Sequence, residues 1–248
     1  MRERPIPFSA PMVRALLAGT KTQTRRAVKP QPPPECSIHY MLGNESWLPP
    51  EKRAPLHHHW EAWGGPLFES RPPKALAGSF SVNSPYGQPG DRLWVREAWR
   101  AVDLVDDCAP RELDPGCRVW YEANAPHQPG FGRFRQGMFM PRWASRITLE
   151  VTDVRVERLQ DISEADAIAE GITCENVIVD THCAGGVHTE VHGDRYFFDG
   201  GHDEGYEEAV DAYRALWESI NGEGSWDSNP WVWVVEFKQI TPQGGNHA

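Results

Sequence analysis

Lys21 and Thr24 stand three residues apart in Gly19-Thr20-Lys21-Thr22-Gln23-Thr24-Arg25-Arg26, and they are the two side chains of this sequence best placed to do chemistry together. A threonine hydroxyl is a weak nucleophile until a base removes its proton, and a lysine serves as that base only when its amine is neutral part of the time. An unperturbed lysine titrates near ~10.4, so burial or nearby cations must bring it towards ~7–8 for base catalysis at neutral pH. Arg25 and Arg26 are cations of that kind. Taken alone, a K-x-x-T spacing is weak evidence, and its plain alternative is a surface lysine beside a strand threonine.

The elements around the pair are well punctuated. Ser9 suits a helix N-cap, Pro11 falls in the first turn, Met12 to Ala18 carries helical apolar spacing, and Gly19 sits where a C-cap glycine belongs. The helix is expected to end at Ala18. Thr22 to Arg26 then reads as extended, which points Thr24 and Arg26 to one side. A turn at Gln88-Pro89-Gly90-Asp91 leads into strand-like alternation over 92–99, and further strands are expected at 118–121 and 144–154. Ser163 to Gly171 reads as a short helix with a serine cap and acidic first turn. Glu170 then falls at the negative end of that helix's dipole, at a typical cost of ~0.3–1 kcal/mol, which suggests that the carboxylate has a job there. Tyr206 to Ile220 has Ala209, Tyr213, Leu216, Trp217 and Ile220 at core spacing, and Trp231 to Phe237 reads as a closing strand.

Two stretches break the pattern. Residues 28 to about 85 are rich in Pro and Gly and include His57-His58-His59, and residues 172–204 carry Cys174, His182, Cys183, His188, His192 and His202. Both read as long irregular insertions. Three consecutive histidines diverge and cannot all reach one ion, so a solvated run is the expectation for 57–59. Strands that outnumber helices without βαβ alternation predict an α+β, barrel-like fold in a single domain over 1–248.

Composition narrows the function classes. No apolar run approaches the ~18 residues of a membrane span, and Met1-Arg2-Glu3-Arg4-Pro5 does not open a secretory leader, so a cytoplasmic protein is expected. The five cysteines are scattered with no C-x-x-C pair, which predicts reduced thiols and neither a disulfide framework nor a zinc ribbon. A net charge of −10 disfavours extended nonspecific duplex binding, which draws on counterion release around a basic surface. A small ligand or short RNA remains compatible with it. The 11 tryptophans can stack on bases, but core packing is the plainer reading for each.

Gly19-x-Lys21-x-x-Thr24-x-Arg26 resembles the G-x-K-x-x-E-x-R signature of ASCH domains, a PUA-like family, with threonine in place of glutamate. The same replacement marks the bacterial N(4)-acetylcytidine amidohydrolases, whose L-A-G-x-K-T-x-T-x-R motif Leu17 to Arg26 resembles at every defined position. The resemblance implies a PUA-like β-barrel with flanking helices, no cofactor or metal, and a catalytic set of Lys21, Thr24 and a glutamate after the central strands. That glutamate maps to Glu170, since Leu159 to Glu164 resembles the leucine, hydroxyl and glutamate pattern before it. Gly90-Asp91 and Trp233 to Phe237 are also similar to family features. The likeness covers about 5–27, 86–101, 144–171 and 206–240 and leaves both insertions unmatched. In its length the chain is similar to larger ASCH proteins often found in phages and prophages.

The implied reaction is removal of an acyl group from the exocyclic amine of an N(4)-acylated cytidine or related nucleoside. Thr24 attacks, Lys21 takes its proton, Glu170 protonates the leaving amine or orients Lys21, and Arg26 or a backbone N–H stabilises the oxyanion. An ionised Glu170 beside Lys21 opposes that role by raising the lysine pKa. Trp94, Trp99 and Trp143 are candidates for stacking on the base, and Arg142 and Arg146 for phosphate or ribose contact, each with core packing or a solvated surface as the alternative. A second reading is a non-catalytic RNA-binding module using Lys21, Arg26, Arg142 and Arg146. A third is a metal site made from Cys174, His182, Cys183, His188 and His192, although their spacing fits no zinc pattern.

Overall fold

The computed structural model describes residues 1–32, 37–42, 58–63, 80–82, 84–124, 130–182, 188–199, 201 and 204–240. The architecture is mixed α+β, with more sheet than helix. Its centre is a five-stranded sheet of β1 (Glu3–Pro7), β2 (Gln23–Ala27), β6 (Arg92–Arg96), β9 (Thr148–Arg158) and β12 (Trp231–Ile240), in the order β1-β6-β9-β12-β2. β1 runs parallel to β6, and the other pairings are antiparallel. The order leaves β1 and β2 as edges, so the sheet is not a closed barrel. The Arg26 guanidinium nonetheless donates from β2 to the Pro7 carbonyl at the end of β1, at 2.6 Å. The two edges are thus one side chain apart.

Two cores flank this sheet. On one side α1 (Ala10–Ala18) buries Val13 and Leu16 against Ile6, Leu93, Leu149, Trp233 and Val235. On the other, α2 (Glu164–Ala169) and α3 (Ala209–Asn221) bury Ala167, Ala212, Tyr213 and Trp217 against Val232 and Val234. Alternation along β12 feeds both, because successive strand side chains point to opposite faces. A third core joins Trp99, Ala101, Leu113, Met140 and Ala144 beneath the ribbon of β7 (Trp99–Ala101) and β8 (Val119–Tyr121).

The expected helices are present at α1, α2 and α3. Gly19 caps α1 at φ 77°, while Ser9 occupies the N-cap position without a side-chain bond. Ser163 makes a reciprocal capping box with Asp166 at α2. The expected strand over 92–99 divides into β6 and β7, and the one at 144–154 is shifted to 148–158.

Two expectations need correction, and one strand lies outside the sequence reading. β1 carries Pro5 and Pro7, which an edge strand tolerates. Residues 172–204 are not irregular, since β10 (Thr173–His182) and β11 (His188–Phe197) pair residue for residue as a long antiparallel hairpin. The 28–85 stretch likewise contains a three-stranded sheet of β3 (Ser37–Leu42), β4 (His58–Trp63) and β5 (Phe80–Val82). His58 and His59 lie on β4, and His57 is outside the described residues. No helix among the described residues is long and apolar enough to cross a membrane.

Candidate functional site

The turn after α1 delivers Lys21 to the end of α2. The backbone N–H groups of Thr20 and Lys21 both donate to the Ala15 carbonyl, and Thr22 donates to the Ala169 carbonyl at 2.8 Å. The lysine side chain is thereby carried into the interior, where it is 0 % exposed. Its Nζ donates to the Glu170 carbonyl at 2.6 Å and to Glu170 Oε2 at 2.7 Å. Glu170 therefore does not sit uncompensated at a helix C-terminus, because an ammonium answers both its carboxylate and its carbonyl. Gly171 makes the approach close. It has φ +102°, and a Cβ there would meet Ala15 Cβ at 3.1 Å and Lys21 Cβ at 3.4 Å.

Burial has the largest effect on Lys21 and lowers its pKa; Glu170 pulls it upward, and the charges of Arg26 and Arg25 lower it again. The net direction is downward, so burial and the two arginines outweigh the glutamate. An ammonium has three N–H donors, and two are engaged by Glu170.

β2 carries the rest of the site. Thr24 is buried, and its hydroxyl makes no hydrogen bond among the described residues. Thr24, Arg25, Arg26 and Ala27 line a cavity of about 50 Å³ along the strand's free edge, closed by Glu170, Tyr213 and apolar side chains of α1 and α3. Glu170 Oε1 lies 3.5 Å from Arg25, close enough for an ion pair, but accepts no hydrogen bond. The Tyr213 hydroxyl is held protonated far above its ordinary range, by burial first and by Glu170 second.

Arg25 and Arg26 diverge from one another. The Arg25 guanidinium is buried near three carboxylates, with Glu157 at 3.2 Å, Asp166 at 3.3 Å and Glu170 at 3.5 Å. Arg155 on β9 ties Glu157, Asp166 and Glu236 into the same network. Arg26 has no carboxylate partner among the described residues; its guanidinium lies 5.3 Å from the Phe8 ring centroid, and Lys21 Nζ lies 5.8 Å from it. Arg26 also lines a second, larger cavity of about 370 Å³, together with Phe8, Arg96 and Phe134.

The structure thus brings Lys21, Glu170, Thr24 and Arg26 to one edge of the sheet. The other candidates stand elsewhere. Trp99 is fully buried in the third core, edge-on to Trp143, so it packs rather than offering a face to a base. Trp94 is covered by the guanidinium groups of Arg96 at 4.6 Å and Arg142 at 5.8 Å. Arg142 pairs with Glu3, and Arg146 holds the buried Glu97 through two 2.9 Å bonds and Asn124 through another. Arg146 is therefore committed to a buried partner, whereas the Arg142–Glu3 pair is solvent-exposed. Cys174 faces Tyr196 near the base of the hairpin, while His182 faces His188 at its tip. Eight residues of strand separate Cys174 from His182, roughly 26 Å, so the five-residue metal set does not converge. Cys183 is outside the described residues.

Tyr213 and Arg96 went unmarked as site residues in the sequence. Tyr213 was legible only as a core position of its helix, and nothing local to Arg96 distinguishes it from other strand arginines. Comparison of the chain with protein-family models, with curated proteins and with solved structures found no match.

Proposed function

We propose that this chain is an ASCH-type, PUA-like amidohydrolase that removes an acyl group from the exocyclic amine of N(4)-acylated cytidine or a related modified nucleoside. The observation that carries the proposal is the fully buried Lys21, fixed on Glu170 at 2.7 Å and shifted towards its neutral form, close in sequence to a threonine with an unpartnered hydroxyl on a cavity. The open sheet fits a PUA-like relation to the extent that Arg26 bridges its edges.

In this mechanism neutral Lys21 keeps two N–H bonds to Glu170 and turns its lone pair to the Thr24 hydroxyl. Thr24 Oγ1 adds to the amide carbonyl carbon as its proton passes to Lys21. Arg26 meets the oxyanion, and Glu170 Oε1, which accepts no hydrogen bond of its own, receives the N–H of the substrate amide. The C–N bond breaks, the amine takes the proton from Lys21, and cytidine departs. Water, deprotonated by Lys21, then cleaves the threonyl ester and releases the carboxylate. A cavity of about 50 Å³ beside Thr24 suits a small acyl group.

The RNA-binding alternative is weaker, since two of its four cations, Lys21 and Arg146, are held by the buried carboxylates of Glu170 and Glu97. Incubation with N(4)-acetylcytidine, followed by chromatography of released cytidine, tests the proposal. Release is expected from wild type and not from Lys21→Ala or Thr24→Ala. No release by wild type, or equal release by the variants, sinks it.

A further inference from the structure

The larger cavity contains a feature that deacylation does not require. In a chain with a net charge of −10, none of the described residues lining it is an aspartate or glutamate, yet two arginines, Arg26 and Arg96, do line it. Neither has a carboxylate partner among the described residues, and the Nε of each is buried without a hydrogen-bond acceptor. An unpartnered guanidinium N–H in a partly desolvated position costs free energy that an incoming anion recovers. The Arg96 guanidinium is held in place by the Trp94 face at 4.6 Å, and its strand is tied to the cavity floor by the bond from Phe8 N to the Arg96 carbonyl.

Most of the remaining lining is apolar, with Ser9 and Gln136 as its polar members. Phe8 forms the floor, while Phe134, 51 % exposed, and Met138 come from the opposite wall. That wall is fixed to the third core by reciprocal backbone bonds between Trp99 and Arg135 and by Arg100, which lies 5.8 Å from the Phe134 ring and donates to Gly132. A volume of about 370 Å³ is in the range of small-molecule sites and is too small for a long polymer footprint. Arg26, Met12 and Ile220 line both cavities, so a ligand in the larger one reaches the edge occupied by Thr24.

We infer that the larger cavity binds the phosphate-bearing part of a mononucleotide, with Arg96 on the phosphate, the exposed Phe134 against a ring face, and Arg26, which lines both cavities, left to the acyl end of the same ligand. The preferred substrate is then an acylated cytidine monophosphate and not the uncharged nucleoside. The cytosine identity rests on the amidohydrolase reading; the anionic end rests on Arg96 and on the absence of aspartate and glutamate among the described lining residues.

Calorimetric titration with unmodified cytidine 5′-monophosphate and with cytidine separates the two. The monophosphate is expected to bind at least ~10-fold more tightly, as one charge-assisted bond implies, with a preference that shrinks at high salt. Arg96→Gln removes the preference and leaves cytidine affinity unchanged, and Arg96→Lys retains part of it. A wild-type melting temperature in both variants shows that they are folded. Equal affinity for the two ligands, an unchanged preference in Arg96→Gln, or no binding of either overturns the inference. Tight monophosphate binding without hydrolysis of any acetylated form supports it while removing the amidohydrolase reading.

Discussion

Arg25 and Arg26 are neighbours in sequence and opposites in situation. Strand alternation sends Arg25 to the face covered by α2 and α3, where three carboxylates within 3.5 Å surround it. Arg26 goes to the other face, where it has an aromatic ring, a carbonyl oxygen and two cavities but no carboxylate among the described residues. One guanidinium has spent its charge on the fold, and the other keeps it for a ligand. The presence of arginines in a motif therefore says less than the parity of their positions on the strand.

Substitutions can break this contrast, beginning with the largest expected effect. Lys21→Met leaves the Glu170 carboxylate buried with its main partner gone, which should cost ~3–5 kcal/mol of unfolding free energy. It should also lower turnover by ~10²–10⁴-fold through loss of the base. The double variant Lys21→Met/Glu170→Leu should recover most of the stability and none of the activity. Recovery of both would show that the pair is only structural.

Arg25→Met comes next. It leaves Glu157, Asp166 and Glu170 facing one another and should also cost ~3–5 kcal/mol in denaturant titration. Arg26→Met should cost under ~1 kcal/mol, having no buried ion pair to lose, but should reduce kcat by ~10²-fold if it meets the oxyanion. Equal destabilisation by the two would end the distinction between them.

The pH dependence sharpens the same comparison. Lys21 acts as a base, so activity should rise with pH through its lowered pKa, below the ~10.4 of an ordinary lysine. Arg26 is one of the charges that lower it, so in Arg26→Met the rising limb should move to higher pH. Stability follows in sign: between the lowered folded value and the ordinary one, the unfolded chain holds a proton that the folded chain lacks. Folding free energy from this group therefore improves as pH rises across that window, and the gain is absent below the folded pKa. The smallest effect belongs to Ser163→Ala, which removes the α2 cap for ~1 kcal/mol and should leave activity unchanged, since its bonds are to Asp166 alone.

Local signals read well in the sequence. The capped ends of α1 and α2 are visible because caps and helical spacing act over a few residues. The pairing of Lys21 with Glu170 spans 149 residues, and it was reachable only through a resemblance that placed a glutamate there. The long hairpin was missed because residues 173–197 are largely polar and show little alternation, although Val177-Ile178-Val179 and the Gly185-Gly186 pair between the strands are signals of the kind a hairpin leaves. Trp99 and Trp94 show a further limit. Residue type permits stacking on a base, but only the fold reveals that one is sealed in a core and the other is covered by arginines.

The most direct test of Thr24 as nucleophile is to mix the protein with N(4)-acetylcytidine, quench the reaction within its first turnovers and map acetyl groups by peptide mass spectrometry. The account predicts an acetyl ester on Thr24 that disappears on longer incubation and never forms in Lys21→Met. Cytidine release with no acetyl group ever found on Thr24 would contradict it.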